Sequence, residues 1–352
     1  MDVATHILLG ACVAQIPRTS ARESSQALSF WQRSLIGGLA AVFPDIDYLL
    51  FFYHPLEFLA YWHRAETHSL LLAPFWSLLT ALLWSRRRAL LGHRAAIFWI
   101  CLLSILSHIF CDTLTGFGIQ WFAPLSDMKF SWNLLFVIDA YFSLSILLTF
   151  LWLFIKQKQA IRYWAFLLPL GYLFLLGGVK YSLTHGLVKT GNMHESELQV
   201  TLLPQPLSPL YWQAIGISGK TTKQAYIKYA SDPVALLVGQ LIGKSGYSAH
   251  FHEVENPSWN SYLLLPLDIK LRKTAEQAWY HPEFKAYRDF AVFPIFYRYD
   301  TDTNLNCYWF SDLRYHWPEF IPSFRYGMCH SPKGEWRLYR MKYLSKTRIV
   351  IN

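Results

Sequence analysis

Five runs of apolar residues, at 34–53, 67–84, 95–115, 134–155 and 161–183, approach the length needed to cross a bilayer, ~20 residues at ~1.5 Å of helical rise each. Backbone polar groups in such runs must be satisfied internally, so the runs predict helices. A shorter apolar helix, VATHILLGACVAQI (3–16), precedes them and ends at Pro17, giving six crossings if it spans and five if it is re-entrant. The composition agrees, with 53% hydrophobic and only 16% charged residues and a mean hydropathy of +0.19, a balance of the membrane class. Tyr53, Tyr61, Trp62, Trp84, Trp121, Trp132 and Trp152 fall near the ends of the runs, as an interfacial aromatic belt would.

From about residue 184 the pattern changes. The runs LQVTLL, AYIKYA, SAHFHEV, AVFPIFYRY, CYWFSDLRY and WRLYRM alternate or are β-branched and aromatic, and NPSWN and SPKGE bound them as turns, which predicts strands. One helix is expected near 268–280. The predicted fold class is an α+β membrane protein, a multi-span helical bundle (1–183) followed by a β-rich domain (184–352).

Loop charge orients the bundle. Arg18, Arg22, Arg33, Arg86, Arg87, Arg88, Arg94, Lys156, Lys158 and Arg162 occupy the loops on one side, ten in all, whereas the alternate loops hold only Arg64 and Lys129. Positive residues stay in the cytoplasm, so the expected location is the inner (plasma) membrane with both termini and the β-rich domain extracytoplasmic. The net charge of +9 is spread along the chain, without the clustered basic face of a nucleic-acid binder. The start lacks the basic residues and cleavage site of a signal peptide, so the first helix is expected to be retained. Of five cysteines, Cys12, Cys101 and Cys111 lie in apolar helices, and Cys307 and Cys329 could pair in an oxidising compartment. No CxxC is present, which argues against a thiolate metal site.

Asp45, Asp47, Asp112 and Asp139 lie inside the apolar runs, where each carboxylate costs at least ~2.5 kcal/mol on insertion scales and marks a functional candidate. His6, His63, His68 and His108 occupy similar positions. With the orientation set by Lys and Arg alone, every one of these residues falls on the outer side. His108 and Asp112 are i, i+4 and share a helix face. Asp45 and Asp47 follow Pro44, which should break the helix and let irregular backbone turn both inward. Mixed imidazole and carboxylate donors suit one or two divalent metal ions, Zn²⁺ first, with Mn²⁺ or Fe as alternatives. The metal ligands expected are His6, Asp45, Asp47, His63, His68, His108 and Asp112. Asp139 is a further ligand or general base, Arg64 a clamp for a phosphate oxygen, and Glu66 a weaker base. Taken singly, His6 is also an ordinary interfacial residue, Asp139 a helix cap or partner of Lys180, and Arg64–Glu66 a surface pair.

With these residues in hand, the chain resembles the YdjM-like family of inner-membrane metal-dependent hydrolases, also described as LexA-binding inner membrane-associated hydrolases. The resemblance rests on Thr5–His6, PDID (Pro44–Asp47), HRAETHS (His63–Ser69), HIFCD (His108–Asp112), TLTGFGIQWFAP (Thr113–Pro124) and FVIDAYF (Phe136–Phe142). It departs from the pattern at Ala140, where Pro often follows the Asp. It covers about 1–183, and PQPLSPLYW (204–212) and SDLRY (311–315) look like the longer members. The resemblance implies a metal-dependent hydrolase, and a looser similarity to zinc phospholipase C and nuclease-type phosphodiesterases implies phosphoester chemistry. The expected function is therefore hydrolysis of an ester or phosphoester, lipid-linked or otherwise amphiphilic, by a metal-activated water at the outer membrane face. Two alternatives stay open: a metal or proton transporter using the same His/Asp cluster, and a non-catalytic membrane regulatory protein, for which the inner loops are short. Substrate, metal and oligomeric state are not fixed by the sequence.

Overall fold

The computed structural model describes residues 1–17, 28–156, 162–190, 199–302, 305–331, 334–343, 345 and 347–351. Arg18, Arg22 and Lys158 of the predicted inner loops lie outside the described residues, as do two residues of the SPKGE turn. The chain forms two compact units: Met1–Leu49 with His63–Gly178, and Leu50–Trp62 with Val179–Asn352. The boundary within the helix Leu167–Lys189 falls between Gly178 and Val179, and residues 50–62 lie in the second unit. There Tyr61 donates to Asp289 Oδ2 at 2.5 Å and Arg340 lies over the Phe51 ring.

The first unit is helical. Its elements are α1 (Val3–Val13), α2 (Phe30–Val42), α4 (Ala73–Ser85), α5 (Arg94–Thr113), α6 (Ala140–Ile155) and the first part of α7 (Leu167–Lys189), while the one-turn α3 (Pro55–Glu57) lies in the excursion. Among the described residues three helical stretches are long and apolar enough to cross a membrane: Phe30–Phe52, Arg94–Thr113 and Tyr163–Lys189. Pro55–His68 and Ala73–Ser85 form a pair bent by 71° that could serve as a fourth. Of the five or six crossings expected, those assigned to α1 and α6 do not meet this length criterion. At 11 and 16 residues, α1 and α6 are about 16 and 24 Å long, short of the ~30 Å hydrocarbon core.

Small residues let α1, α2 and α5 meet closely. A Cβ on Gly10 would sit 2.4 Å from both the Gly37 carbonyl oxygen and Ala41 Cβ, and one on Gly37 would sit 2.4 Å from the Gly10 carbonyl oxygen and 3.0 Å from Ser104 Oγ. Only glycine permits this backbone approach, the usual device where lipid supplies no hydrophobic drive. Lower down, Arg33 Nε and Arg162 Nη1 donate at 2.9 Å to the carbonyls of Ala14 and Gln15 at the end of α1. Two of the ten orienting charges therefore also cap a helix.

The second unit is β-rich. Its strands are β1 (Gln199–Pro204), β2 (Tyr211–Ser218), β3 (Thr221–Lys228), β4 (His252–Glu253), β5 (Asn260–Leu263), β6 (Pro294–Asp302), β7 (Leu305–Asp312), β8 (Tyr326–His330), β9 (Trp336–Met341) and β10 (Arg348–Val350), with helices α8 (Pro233–Leu241), α9 (Ile269–Tyr280) and α10 (Lys285–Phe290) between them. One sheet runs β1-β2-β3-β4 with β5 also on β3, and the other is a β10-β9-β8-β7-β6 meander. The helix expected near 268–280 is α9. Strands β2 and β8 escape the pattern search because both faces are buried, which removes alternation. Cys307 and Cys329 are register partners on β7 and β8 and form a disulfide.

Candidate metal centre

Each donor is placed by a local feature of the sequence. Asp2 caps α1, accepting from Thr5 N at 3.0 Å and Thr5 Oγ1 at 2.7 Å, and Thr5 also meets Ser143 of α6 at 2.6 Å. These bonds fix the first turn and with it His6. His6 lies one turn from Gly10, His108 one turn from Ser104, and Asp45 two turns from Gly37. The close-packed Gly10–Gly37–Ser104 layer therefore sets the spacing of a donor layer directly above it. Past Pro44 the chain tightens into a 3-10 helix over Phe43–Phe52, with about three residues per turn. Asp45 and Asp47 then diverge. Both reach His68, but at opposite ring nitrogens: Asp45 Oδ1 is 3.6 Å from Nε2 and Asp47 Oδ2 is 3.6 Å from Nδ1. Thr67 Oγ1, 3.0 Å away, is the hydrogen-bond partner of His68 Nδ1, so Asp45 joins the converging donors while Asp47 stands on the far side of the His68 ring.

Four donors converge. Ligand atoms of Asp45, His68, His108 and Asp112 all lie within 4.8 Å of one another, the one such group among the described residues. The two Nε2 atoms are 3.0 Å apart. His108 Nε2 is 3.6 Å from Asp45 Oδ1 and 3.5 Å from Asp112 Oδ2, and His68 Nε2 is 3.7 Å from the same Asp112 oxygen. A tetrahedral ion with bonds of 2.0–2.1 Å needs donor separations of about 3.4 Å. The observed separations bracket that value. Buried carboxylates crowded together also call for a compensating cation. On both counts, donor spacing and donor charge, these residues fit a divalent metal.

The remaining predicted residues surround this group. His6 Nε2 is 3.2 Å from Asp112 Oδ1, its ring stacks on His108 with centroids 3.7 Å apart, and the Met1 ammonium also meets Asp112 Oδ1. Asp47 Oδ2 is 3.1 Å from His63 Nδ1 and accepts from Arg64 N at 3.0 Å. Thus His6 and Asp47 stand one layer outside the four donors, beside Asp112 Oδ1 and His68 Nδ1, and His63 stands behind Asp47. Arg64 is buried and committed: Nη2 is 2.9 Å from Asp112 Oδ2 and Nη1 donates to Thr115 Oγ1 at 2.8 Å. That engagement replaces the expected phosphate clamp with a hold on a donor. Glu66 is exposed. Asp139 caps α6, accepting from Phe142 N at 2.8 Å and from Tyr172 Oη at 3.1 and 3.0 Å, so both its oxygens are engaged at the start of α6, away from the four converging donors.

Sequence reasoning passed over several supporting residues. Thr115 couples Arg64 to the Asp112 carbonyl, donating to it at 2.8 Å. Ser69 Oγ donates to the Trp121 and Ala123 carbonyls at 3.1 and 2.7 Å, closing 113–135 onto the His68 turn. Arg64 itself adopts φ 62°, a left-handed conformation uncommon outside glycine, which aims its amide at Asp47 and its guanidinium at Asp112. A hydroxyl three residues after Asp112 was the available signal, visible only once the Asp was taken as a donor.

No curated protein and no solved structure matches the chain. A profile of the YdjM inner membrane protein family matches residues 1–183, the stretch that holds all four converging donors and every residue around them. With more than half of its length covered in this way, the chain belongs to the YdjM inner membrane protein family.

Proposed function

We propose that this protein is a membrane-embedded, metal-dependent hydrolase that cleaves an ester or phosphoester of an amphiphilic substrate on the extracytoplasmic side. The observation that carries the reading is the convergence of Asp45, His68, His108 and Asp112, whose ligand atoms all lie within 4.8 Å of one another. Those four would hold one divalent ion, with zinc the best match to imidazole and carboxylate donors. Bound there, it would supply a Lewis acid that brings the pKa of a water toward neutrality. Around it, Thr67 Oγ1 bonds the ring of His68 at Nδ1 at 3.0 Å with Asp47 Oδ2 3.6 Å away, His63 buttresses Asp47, and His6 and Arg64 hold the two oxygens of Asp112. Such outer contacts orient ligands and raise their basicity.

Access is one-sided. The Asp45 side chain is 10% exposed whereas those of His68, His108 and Asp112 are sealed, so substrate enters past Asp45. Ile46, Tyr48 and Leu49 are exposed beside it, an apolar rim suited to an acyl or isoprenyl chain. The close-packed glycine layer under the donors favours hydrolysis over transport, because a conducting path needs polar space toward the opposite face.

Two features support the extracytoplasmic side. Setting aside Arg33 and Arg162, which cap α1, eight of the ten inner-loop charges still oppose Arg64 and Lys129. The Cys307–Cys329 disulfide suits an oxidising compartment. The test is metal content of detergent-purified protein by mass spectrometry. Wild type should retain about one equivalent of a transition metal, with Asp45→Ala and His108→Ala folded but depleted, and the loaded protein should cleave chromogenic phosphoesters. Folded wild type that neither retains nor takes up metal would sink the reading.

A further inference from the structure

Helix α8 is built inside out for a water-facing surface. Its small residues turn inward: Ala235 packs with Tyr211, Tyr247 and Phe251, and Gly239 lies against the Lys244 carbonyl. Its large aliphatic residues turn outward. Val234, Leu236, Leu237 and Leu241, with Ile242 just beyond, are 43–76% exposed. A soluble surface helix shows the opposite arrangement, and a contiguous exposed apolar patch marks a contact.

The course of α7 indicates what covers it. The candidate span runs from Tyr163 to Lys189, and a ~30 Å hydrocarbon core takes ~20 residues, so a span entered at Tyr163 leaves lipid near residue 183. At that height the Tyr181 and His185 rings stack with centroids 6.3 Å apart, aromatic residues of the kind that settle at a membrane boundary. Tyr181, His185 and Gly186 line one cleft with Tyr229, Ser231 and Val254, all within the second unit. Ser231 stands two residues before Pro233, the first residue of α8. The helix with the outward aliphatic face therefore starts at the level where the span leaves the bilayer.

We propose that α8, together with Ile242, lies in the lipid–water interface and docks the second unit on the membrane that α7 crosses, with Val234, Leu237 and Leu241 in the acyl boundary. This inference does not depend on the metal centre.

The test uses the full chain reconstituted in bilayers of phosphatidylethanolamine and phosphatidylglycerol. Fluorophores are placed singly at Leu237→Cys, Leu241→Cys and, as a charged exposed control on α9, Lys273→Cys. Labels at 237 and 241 should lose most of their emission to a lipid carrying a shallow acyl-chain nitroxide and almost none to aqueous iodide, with the reverse at 273. Iodide quenching at 237 and 241 equal to that at 273 would overturn the proposal. So would shielding from both quenchers, which would assign the face to a second protein copy. If one cysteine variant fails to fold, the other position decides.

Discussion

In the second unit Asp312 is buried yet fully engaged: it accepts from Val292 N at 2.7 Å and from Arg314 N and Nε at 2.9 Å, and pairs with Arg314 Nη2 at 2.8 Å. Although burial alone lowers the pKa of Arg314, the carboxylate beside it raises it above the ordinary arginine range. In the first unit the three carboxylates of Asp45, Asp47 and Asp112 share two cations, the Arg64 guanidinium and the Met1 ammonium, both on Asp112, and a group of imidazoles. One arrangement closes on itself, and the other leaves negative charge over. A buried pair with matched donors is architecture, whereas buried carboxylates and imidazoles whose ligand atoms all lie within 4.8 Å of one another could hold a cation.

The contrast can be broken most severely at Asp312. Asp312→Ala should destabilise the second unit by about 3–5 kcal/mol, since it strands Arg314, and should leave metal retention by the first unit unchanged; urea unfolding and metal analysis on one sample would decide. Loss of metal in that variant would mean that the two networks are not separate.

Acidification sharpens the contrast on the same side. Burial lowers the His316 pKa from its ordinary 6.5 to about 4, so the unfolded chain takes up the proton first. Stability from this group is full above about pH 6.5 and is lost as pH falls toward 4, by roughly 3 kcal/mol at most. His316→Gln should flatten the dependence of urea midpoint on pH over that window, and an unchanged slope would count against the assignment.

Gly37→Leu attacks the first unit from beneath the donors. It should cost about 1–3 kcal/mol from overpacking and also weaken metal retention, because α1 and α2 must separate; thermal unfolding with metal analysis reads both. The smallest effect is expected at Asp139. Asp139→Ala should remove a helix cap worth ~1 kcal/mol and leave bound metal at the wild-type level, and metal loss there would return Asp139 to the site.

The apolar runs, the alternating runs and the location of charge were enough to read a helical membrane portion, a β-rich portion and the group of His and Asp residues, because burying charge in such segments is too costly to be incidental. Periodicity could not count the spans, since it registers hydrophobicity without showing where a helix stops. Nor could it rank the candidates. His6, His63, Asp47 and Asp139 have the same residue types as the four converging donors, and only packing separates them: the glycine layer fixes the height of α1, the 3-10 turn after Pro44 splits Asp45 from Asp47, and Tyr172 occupies Asp139. The sequence by itself determined which residues carry charge into the membrane portion. Tertiary structure alone decided which of them meet, because bringing ligand atoms of residues as far apart in sequence as Asp45 and Asp112 within 4.8 Å of one another depends on how closely backbones approach, a property that no local pattern encodes.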